Sequence, residues 1–340
     1  MSNTKIQEKE QEFNNIEENL EGNFNSKLIS KITNGFKFLF IPKPRIERFQ
    51  ASGMQYQDRK KKNKIKGWLK STFTFIGVLL ILIIISIALF GPWIAPYSYE
   101  EAMGSSLNFW NPPSLENPLG TGFAGRDVLS RIIYGTRTAL VTALLSVSIS
   151  LIFGIILGML AGYYGKWVDS IIMRVMDIIL AFPGLIFALA FLAILGARFS
   201  YIVWIFGVIG IPYYSRLIRS SVFKEKELDY IAAAKVSGAN NWRIMFKHIL
   251  PNSIQPVIIS MSFDIGRAMI NLTILGFLGF NDPEFIDWGR DIFSGRRQIW
   301  RAPWAVFWPG VMILISAIGF MIVGDGLRDA LDPRFHLVTR

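Results

Sequence analysis

Charged side chains interrupt two of the long apolar blocks of this sequence, where they could carry chemistry. Asp264 and Arg267 lie in one block, and Arg174 and Asp177 lie near the start of an earlier one. Each pair is spaced three residues apart, so its charges can meet on one helix face. A charge at the centre of a membrane-spanning helix costs roughly 2.5–3.5 kcal/mol on the insertion scale. Such residues usually face a bundle interior or a watery path. Asp264 and Arg267 could therefore contact the charged ends of a ligand, or form a purely structural ion pair. Asn271 lies one helical turn further on and is a candidate for the same path.

The residue types that other kinds of site need are scarce. The chain of 340 residues has no cysteine, which excludes disulfides, thiolate metal ligands and cysteine nucleophiles. With only His248 and His336, we expect no histidine triad and no zinc site. No Gly-x-x-x-x-Gly-Lys-Ser/Thr loop occurs, which predicts that this chain does not bind ATP itself. We find no clustered catalytic residues and no filter loop, which argues against an intramembrane enzyme and an ion channel.

A polar stretch of residues 228–252, called the polar segment below, separates two apolar blocks. Its first helical part ends before Gly238, a residue suited to a tight turn, and its second part runs from Asn240 to a stop at Pro251. From the residues alone, it could dock into a groove of a cytoplasmic partner or rest on lipid headgroups. The apolar residues that could fill such a groove are Ile231, Ala234, Val236, Trp242, Ile244, Met245 and Phe246.

Six apolar blocks, each about as long as a bilayer is thick, indicate a polytopic membrane protein. Gly154, Gly158 and Gly162 repeat every four residues in the second block and predict a close helix-packing face. Pro183 predicts a kink in the third block. The sequence therefore predicts an all-α membrane protein with about six transmembrane helices. The blocks lie at about residues 71–95, 138–163, 171–195, 201–218, 254–280 and 303–323.

Basic residues indicate the orientation of the chain. The net charge is +11, and the basic residues lie beside the apolar blocks, above all in residues 59–66. We therefore expect a lipid bilayer and no nucleic acid as partner. The positive-inside rule places both termini in the cytoplasm. We expect a largely disordered tail over 1–66, the first helix and an external loop over 67–136, a core over 137–334, and a short cytoplasmic end over 335–340.

The polar segment resembles the cytoplasmic loop of permease subunits of ATP-binding-cassette importers. Ala232-Ala233-Ala234, Gly238 and Leu250-Pro251 follow the family pattern, with Ala232 where the family has glutamate. His248 before Ile249-Leu250-Pro251 is similar to the peptide and nickel branch. Further motifs, in order, resemble the second permease subunit of di- and oligopeptide importers. They are Pro118-Leu119-Gly120-Thr121, Gly125-Arg126-Asp127-Val128-Leu129-Ser130-Arg131, Gly135-Thr136-Arg137, Met173-Arg174 with Asp177 and Pro183, Trp288-Gly289, Pro303-Trp304, and Gly324-Asp325-Gly326-Leu327-Arg328-Asp329.

The resemblance implies a type I importer fold in the cell membrane. It implies as partners a homologous sister permease, two cytoplasmic ATPases that use ATP and Mg²⁺, and an external substrate-binding protein. This chain would hold no cofactor or metal and would not be an enzyme. Arg126, Asp127 and Trp288 are expected in the loops that meet the binding protein. The residues expected to form the ATPase-coupling surface are Ala232, Ala233, Ala234, Gly238, Trp242, Met245, Phe246, Leu250 and Pro251.

The expected function is import of dipeptides or oligopeptides by alternating access. The same architecture could import glutathione or a nickel chelate, and both alternatives stay open. The chain departs from the family at Asn117, where histidine is usual, and at Gly122, where aspartate is usual. Because both histidines are predicted on the cytoplasmic side, a chelated metal fits the path better than a bare ion.

Overall fold

The structure is a computed structural model that describes residues 71–331, and the tail over 1–66 and the end over 335–340 lie outside them. The described residues form helices and loops without a β-strand, which confirms the all-α prediction. The helices are α1 (Thr72–Ile94), α2 (Tyr99–Met103), α3 (Val128–Tyr164), α4 (Lys166–Leu180), α5 (Gly184–Leu195), α6 (Phe199–Glu225), α7 (Asp229–Val236), α8 (Asn241–Arg243), α9 (Leu250–Ser253), α10 (Gln255–Phe277), α11 (Trp288–Gly295) and α12 (Trp304–Leu331).

Five helices in the described residues are long and apolar enough to cross a membrane, namely α1, α3, α6, α10 and α12. The pair α4 and α5 makes a sixth span if the two helices are taken together. They meet at an angle of 79°. The kink predicted at Pro183 is therefore a full break, because proline offers no N–H to the preceding turn.

Helix α3 is longer than its apolar block indicates. It begins at Val128, where the side chain of Asp127 accepts a hydrogen bond of 2.7 Å from the backbone N–H of Ser130. This N-cap satisfies one of the free donors of the first turn. The first loop therefore ends at Asp127, and the boundary expected at residue 136 lies inside a continuous helix.

The bundle is organised around the contact of α3 with α6. A Cβ on Gly158 would lie 2.4 Å from the backbone oxygen of Ser215, and one on Gly154 would lie 2.5 Å from the Cβ of Tyr214. The backbones therefore approach as closely as the four-residue glycine spacing predicts. The packing face predicted for this block is confirmed.

Ion pairs link α4 to α6. Asp177 does not pair with Arg174, as the spacing of three residues suggests, but with Arg216 of α6. Asp169 pairs with Arg219 of the same helix. Spacing along one helix missed these pairs because the partners come from a different helix, α6.

Candidate functional site

The first half of the polar segment is the short helix α7, which ends in a tight turn at Gly238. The N–H of Ala239 bonds to the carbonyl of Ala234 over 3.1 Å, and the N–H of Gly238 bonds to that of Lys235 over 3.0 Å. This hydrogen-bond pattern is a Schellman motif, whose turn residue has a positive φ. Gly238 has φ of +79°, a backbone conformation that glycine adopts without a Cβ penalty.

The second half begins at Asn240, whose side chain caps α8 by accepting a 2.8 Å hydrogen bond from the N–H of Arg243. A π-helical turn, Ile244–Ile249, follows, and α9 leads into α10. The hydroxyl of Tyr163, at the end of α3, donates to Asn241 over 2.8 Å. This bond ties the second half to the neighbouring span.

The polar segment packs one apolar face onto the bundle. Ile231, Ile244, Met245 and Ile249 are buried and form a cluster with residues of α3, α6 and α10. Met245 therefore does not project toward a partner groove, and that expectation is wrong, as it is for Ile231 and Ile244. These residues anchor the segment to the bundle, because packing against α3, α6 and α10 removes their apolar side chains from water.

A second apolar face of the segment stays uncovered. Val236 is 90% exposed, Trp242 58% and Phe246 39%. The rings of Trp242 and Phe246 stack in parallel, with their centroids 5.5 Å apart and an interplanar angle of 11°. Because the segment is held from behind, these side chains form a fixed apolar surface of the kind that a partner protein covers.

The other residues expected on this surface differ in their exposure to solvent. Those that are exposed are Ala232, Ala233, Gly238 and Pro251, whereas Ala234 and Leu250 are half-buried. Behind them, the amide of Asn252 donates to the Tyr230 hydroxyl and to the carbonyl of His248, each over 3.0 Å. These bonds hold the end of the π-helical turn against α7.

A polar stripe runs along one side of α10. It consists of Ser260, Asp264, Arg267 and Asn271, spaced at one helical face, and none of them is fully buried. Nη1 of Arg267 donates to Oδ1 of Asp264 over 3.0 Å, so the expected ion pair is present. The structure brings Asp264 and Arg267 together, while Asn271 is half-buried one turn away.

Tyrosines of α6 complete the stripe. The hydroxyl of Tyr214 donates to Oδ2 of Asp264 over 2.6 Å, and the hydroxyls of Tyr213 and Ser260 are 3.0 Å apart. The sequence analysis missed these partners, because they lie about fifty positions away on another helix. A pair of adjacent tyrosines inside an apolar block is the one signal that was available.

The three residues expected to contact an external protein have different surroundings. Asp127 is buried as the cap of α3, and Trp288 is buried with its Nε1 donating to the carbonyl of Ile132 over 3.2 Å. For these two the expectation is wrong, since their side chains hold the fold together. Arg126 is half-buried, and its Nε donates to the carbonyl of Gly104 over 2.8 Å.

A buried ion pair locks this region. Nη2 of Arg131 lies 2.7 Å from Oδ1 of Asp291 in α11, and Nη1 donates to the carbonyl of Ala102 over 2.9 Å. Burial raises the pKa of the Asp291 carboxyl, although Arg131 opposes this shift. The pair fastens α2 and α11 to the start of α3.

Residues 71–331 contain no group of three or more histidine, cysteine or acidic side chains placed to hold a metal ion. The site is thus an exposed apolar surface at one end of the bundle and a polar stripe within it. Such features suit the docking of a partner and the passage of a solute.

Two known families match parts of this chain. Residues 154–337 match the family described as the inner membrane component of binding-protein-dependent transport systems. Residues 67–113 match the N-terminal transmembrane domain of oligopeptide transport permease C. These two matches cover the first span with part of its loop, and the bundle from the second part of α3 onward.

Individual relatives agree with these families. A dipeptide transport system permease protein of Alkalihalophilus pseudofirmus is 41% identical over 266 residues, which are 78% of this chain and 87% of that protein. A di/tripeptide transport system permease protein of Pseudomonas aeruginosa is 43% identical over 265 residues, 76% of this chain and 87% of that protein. A glutathione transport system permease protein of Pectobacterium atrosepticum is 38% identical over 258 residues, 75% of this chain and 85% of that protein. The chain belongs to the family of binding-protein-dependent transport system inner membrane components.

Proposed function

We propose that this chain is a membrane-spanning subunit of an ATP-driven importer that carries short peptides into the cell. It pairs with a homologous sister permease, and two cytoplasmic ATPases supply the energy. An external binding protein delivers the peptide to the loops over 97–127 and 278–303. Relatives named for dipeptide and di/tripeptide transport support the choice of substrate.

The observation that carries the proposal is the anchored, uncovered apolar face of the polar segment. Val236, Trp242 and Phe246 are exposed, while Ile231 and Met245 fasten the same segment to the bundle. A rigid connection of this kind transmits a push on the segment to α6 and α10, which flank it in the chain. Alternating access needs such a transmission from the ATPase to the helices.

ATP binding is assigned to the ATPase subunits and not to this chain. Its sequence has no phosphate-binding loop, so the ATPase subunits bind ATP and Mg²⁺. The polar segment and both termini then lie in the cytoplasm, in line with the basic residues near 59–66. The stripe with Asp264 and Arg267 lines the path between this chain and its sister.

Glutathione is the second candidate substrate, because one relative is named for glutathione transport. Glutathione is itself a short peptide, so the same path geometry serves both substrates. Competition of unlabelled glutathione with a labelled dipeptide during uptake separates the two candidates. Inhibition by a dipeptide alone identifies the peptide importer.

The test uses the complete transporter in lipid vesicles with the double variant Trp242→Ala, Phe246→Ala. Removing two exposed anchors from a docked interface typically costs about 2 kcal/mol or more in affinity. We expect ATP-driven dipeptide uptake to fall at least tenfold, with the ATPase subunits lost from the purified complex or running without uptake.

Trp93→Ala is the matched control, since Trp93 is an exposed tryptophan near the other end of the bundle in α1. This variant should assemble and transport like the wild type. If the double variant also transports normally with a full complement of ATPase, the coupling role of the polar segment is refuted.

A further inference from the structure

Arg267 lies near the middle of the 23-residue helix α10, on a face that this chain leaves open. Its side chain is 63% exposed, whereas that of Asp264 is 16% exposed. A charged side chain in hydrocarbon at this depth costs roughly 2.5–3.5 kcal/mol, so lipid does not cover this face. The stripe therefore faces the sister subunit or the watery path between the two.

Both carboxylate oxygens of Asp264 accept a hydrogen bond from a side chain of this chain. One carboxylate oxygen accepts from the hydroxyl of Tyr214 over 2.6 Å, and the other accepts from Arg267 over 3.0 Å. Tyr214 is itself buried, and its Cβ lies against the backbone of Gly154 in the packed contact of α3 with α6. Asp264 is thus a holder of Arg267 and does not offer its charge to a solute.

Arg267 keeps most of its hydrogen-bonding capacity. A guanidinium carries five N–H donors, and Nη1 alone bonds within the described residues, to Asp264. The remaining donors form a planar fork that matches a carboxylate in two parallel hydrogen bonds. The group that this position fits is therefore an anion with two accessible oxygens, and in a short peptide that group is a carboxylate.

We propose that Arg267 binds the free C-terminal carboxylate of the peptide during its passage, with Asp264 and Tyr214 holding the guanidinium in place. This inference rests on the proposed function, since it concerns the path of the same importer. Every peptide has one such carboxylate whatever its side chains are, so a single arginine reads a feature common to all of them.

The experiment measures peptide binding to the purified transporter without the external binding protein, whose own selectivity is thereby removed. The probes are radiolabelled alanyl-phenylalanine and its C-terminal amide. A charge-assisted, two-point hydrogen bond is among the stronger contacts that proteins make, so we expect the wild type to bind the free acid about tenfold more tightly than the amide.

Arg267→Gln should bring the affinity for the free acid down to that for the amide, and leave the amide unchanged. Arg267→Lys keeps the charge without the fork and should retain part of the preference. Tyr214→Phe should weaken the preference without abolishing it, because Asp264 still holds the arginine. This pattern separates a contact with substrate from a structural role, which would change both probes alike.

Three results overturn the inference. They are a wild type that binds acid and amide equally, an equal loss of both probes in Arg267→Gln, and failure of that variant to assemble while Arg267→Lys assembles. The last result would show that Arg267 pairs with a carboxylate of the sister subunit. Dipeptide uptake by wild-type vesicles is measured in parallel, so that a transporter without peptide uptake counts against the proposed function itself.

Discussion

Replacing Gly158 by valine tests whether the contact of α3 with α6 is the rigid centre of this subunit. A Cβ at this position would lie 2.4 Å from the backbone oxygen of Ser215 and 3.0 Å from its Cα. Ordinary contacts of a Cβ begin near 3.4 Å, so the helices must part by about 1 Å. Backbone atoms cannot rotate away as a flexible side chain can, and the two methyl groups of valine add to the clash.

Overpacking of this kind typically costs about 1–3 kcal/mol, and a backbone clash belongs at the upper end. With about 3 kcal/mol lost, the melting temperature of a domain of this size falls by about 6–12 °C. Gly310→Val in α12 is the control, because no atom lies within 4 Å of a Cβ there. The two variants share the same change in intrinsic helix propensity, which cancels in the comparison.

The assay is thermal unfolding of the purified transporter, followed by dipeptide uptake in vesicles. We expect Gly158→Val to melt well below Gly310→Val and to lose uptake. Equal melting temperatures for the two variants would refute the close packing of α3 on α6.

Two further predictions concern residues expected on the two sides of the membrane. Burial, assisted by the charge of Asp291, raises the pKa of Asp287 from the usual 3.8 to about 7. Between these two pH values the folded state holds a proton that the unfolded state has released. The stability of the fold therefore falls as the pH rises from about 4 to 7. This shift of the Asp287 pKa corresponds to at most about 4 kcal/mol of stability. Asp287→Asn keeps the cap of α11 without the charge, so it should melt above the wild type at pH 8 but not at pH 4.5. Parallel melting curves of the two proteins at all pH values would contradict this prediction. Because the chain has no native cysteine, the variants Leu115→Cys and Val236→Cys should each carry a single, exposed thiol. In intact cells, a membrane-impermeant thiol reagent should label Leu115→Cys and not Val236→Cys. Labelling of Val236→Cys from outside would contradict the expected topology.

The positions of the spans follow from the sequence because burial in lipid requires long apolar runs. The predicted block at 71–95 and the helix Thr72–Ile94 differ by a residue at each end. The turn at Gly238 was equally predictable, since a positive φ selects glycine. Both predictions depend on local properties of the chain.

The roles of single side chains were harder to predict, because they depend on neighbours far away in sequence. Met245 and Phe246 are adjacent and both apolar, yet one is buried in the bundle and the other is exposed. Trp288 lies in a segment predicted to be an external loop, and the hydrogen bond from its Nε1 to the carbonyl of Ile132 in α3 depends on a contact across the fold. Tyr214 emerged as the partner of Asp264 only from the packing of α6 on α10.

The most direct test of coupling is a cross-link from the exposed face of the polar segment to the ATPase. In the complete transporter, Val236→Cys should form a bifunctional cross-link to an ATPase subunit carrying a single cysteine in its groove. Leu115→Cys, which is also highly exposed and is expected on the opposite side of the membrane, should form none. A cross-link at Val236→Cys that changes in yield when ATP is added is the result expected for a segment that transmits motion. Efficient labelling of Val236→Cys in the assembled transporter, with no cross-link to the ATPase in any nucleotide state, would contradict the account.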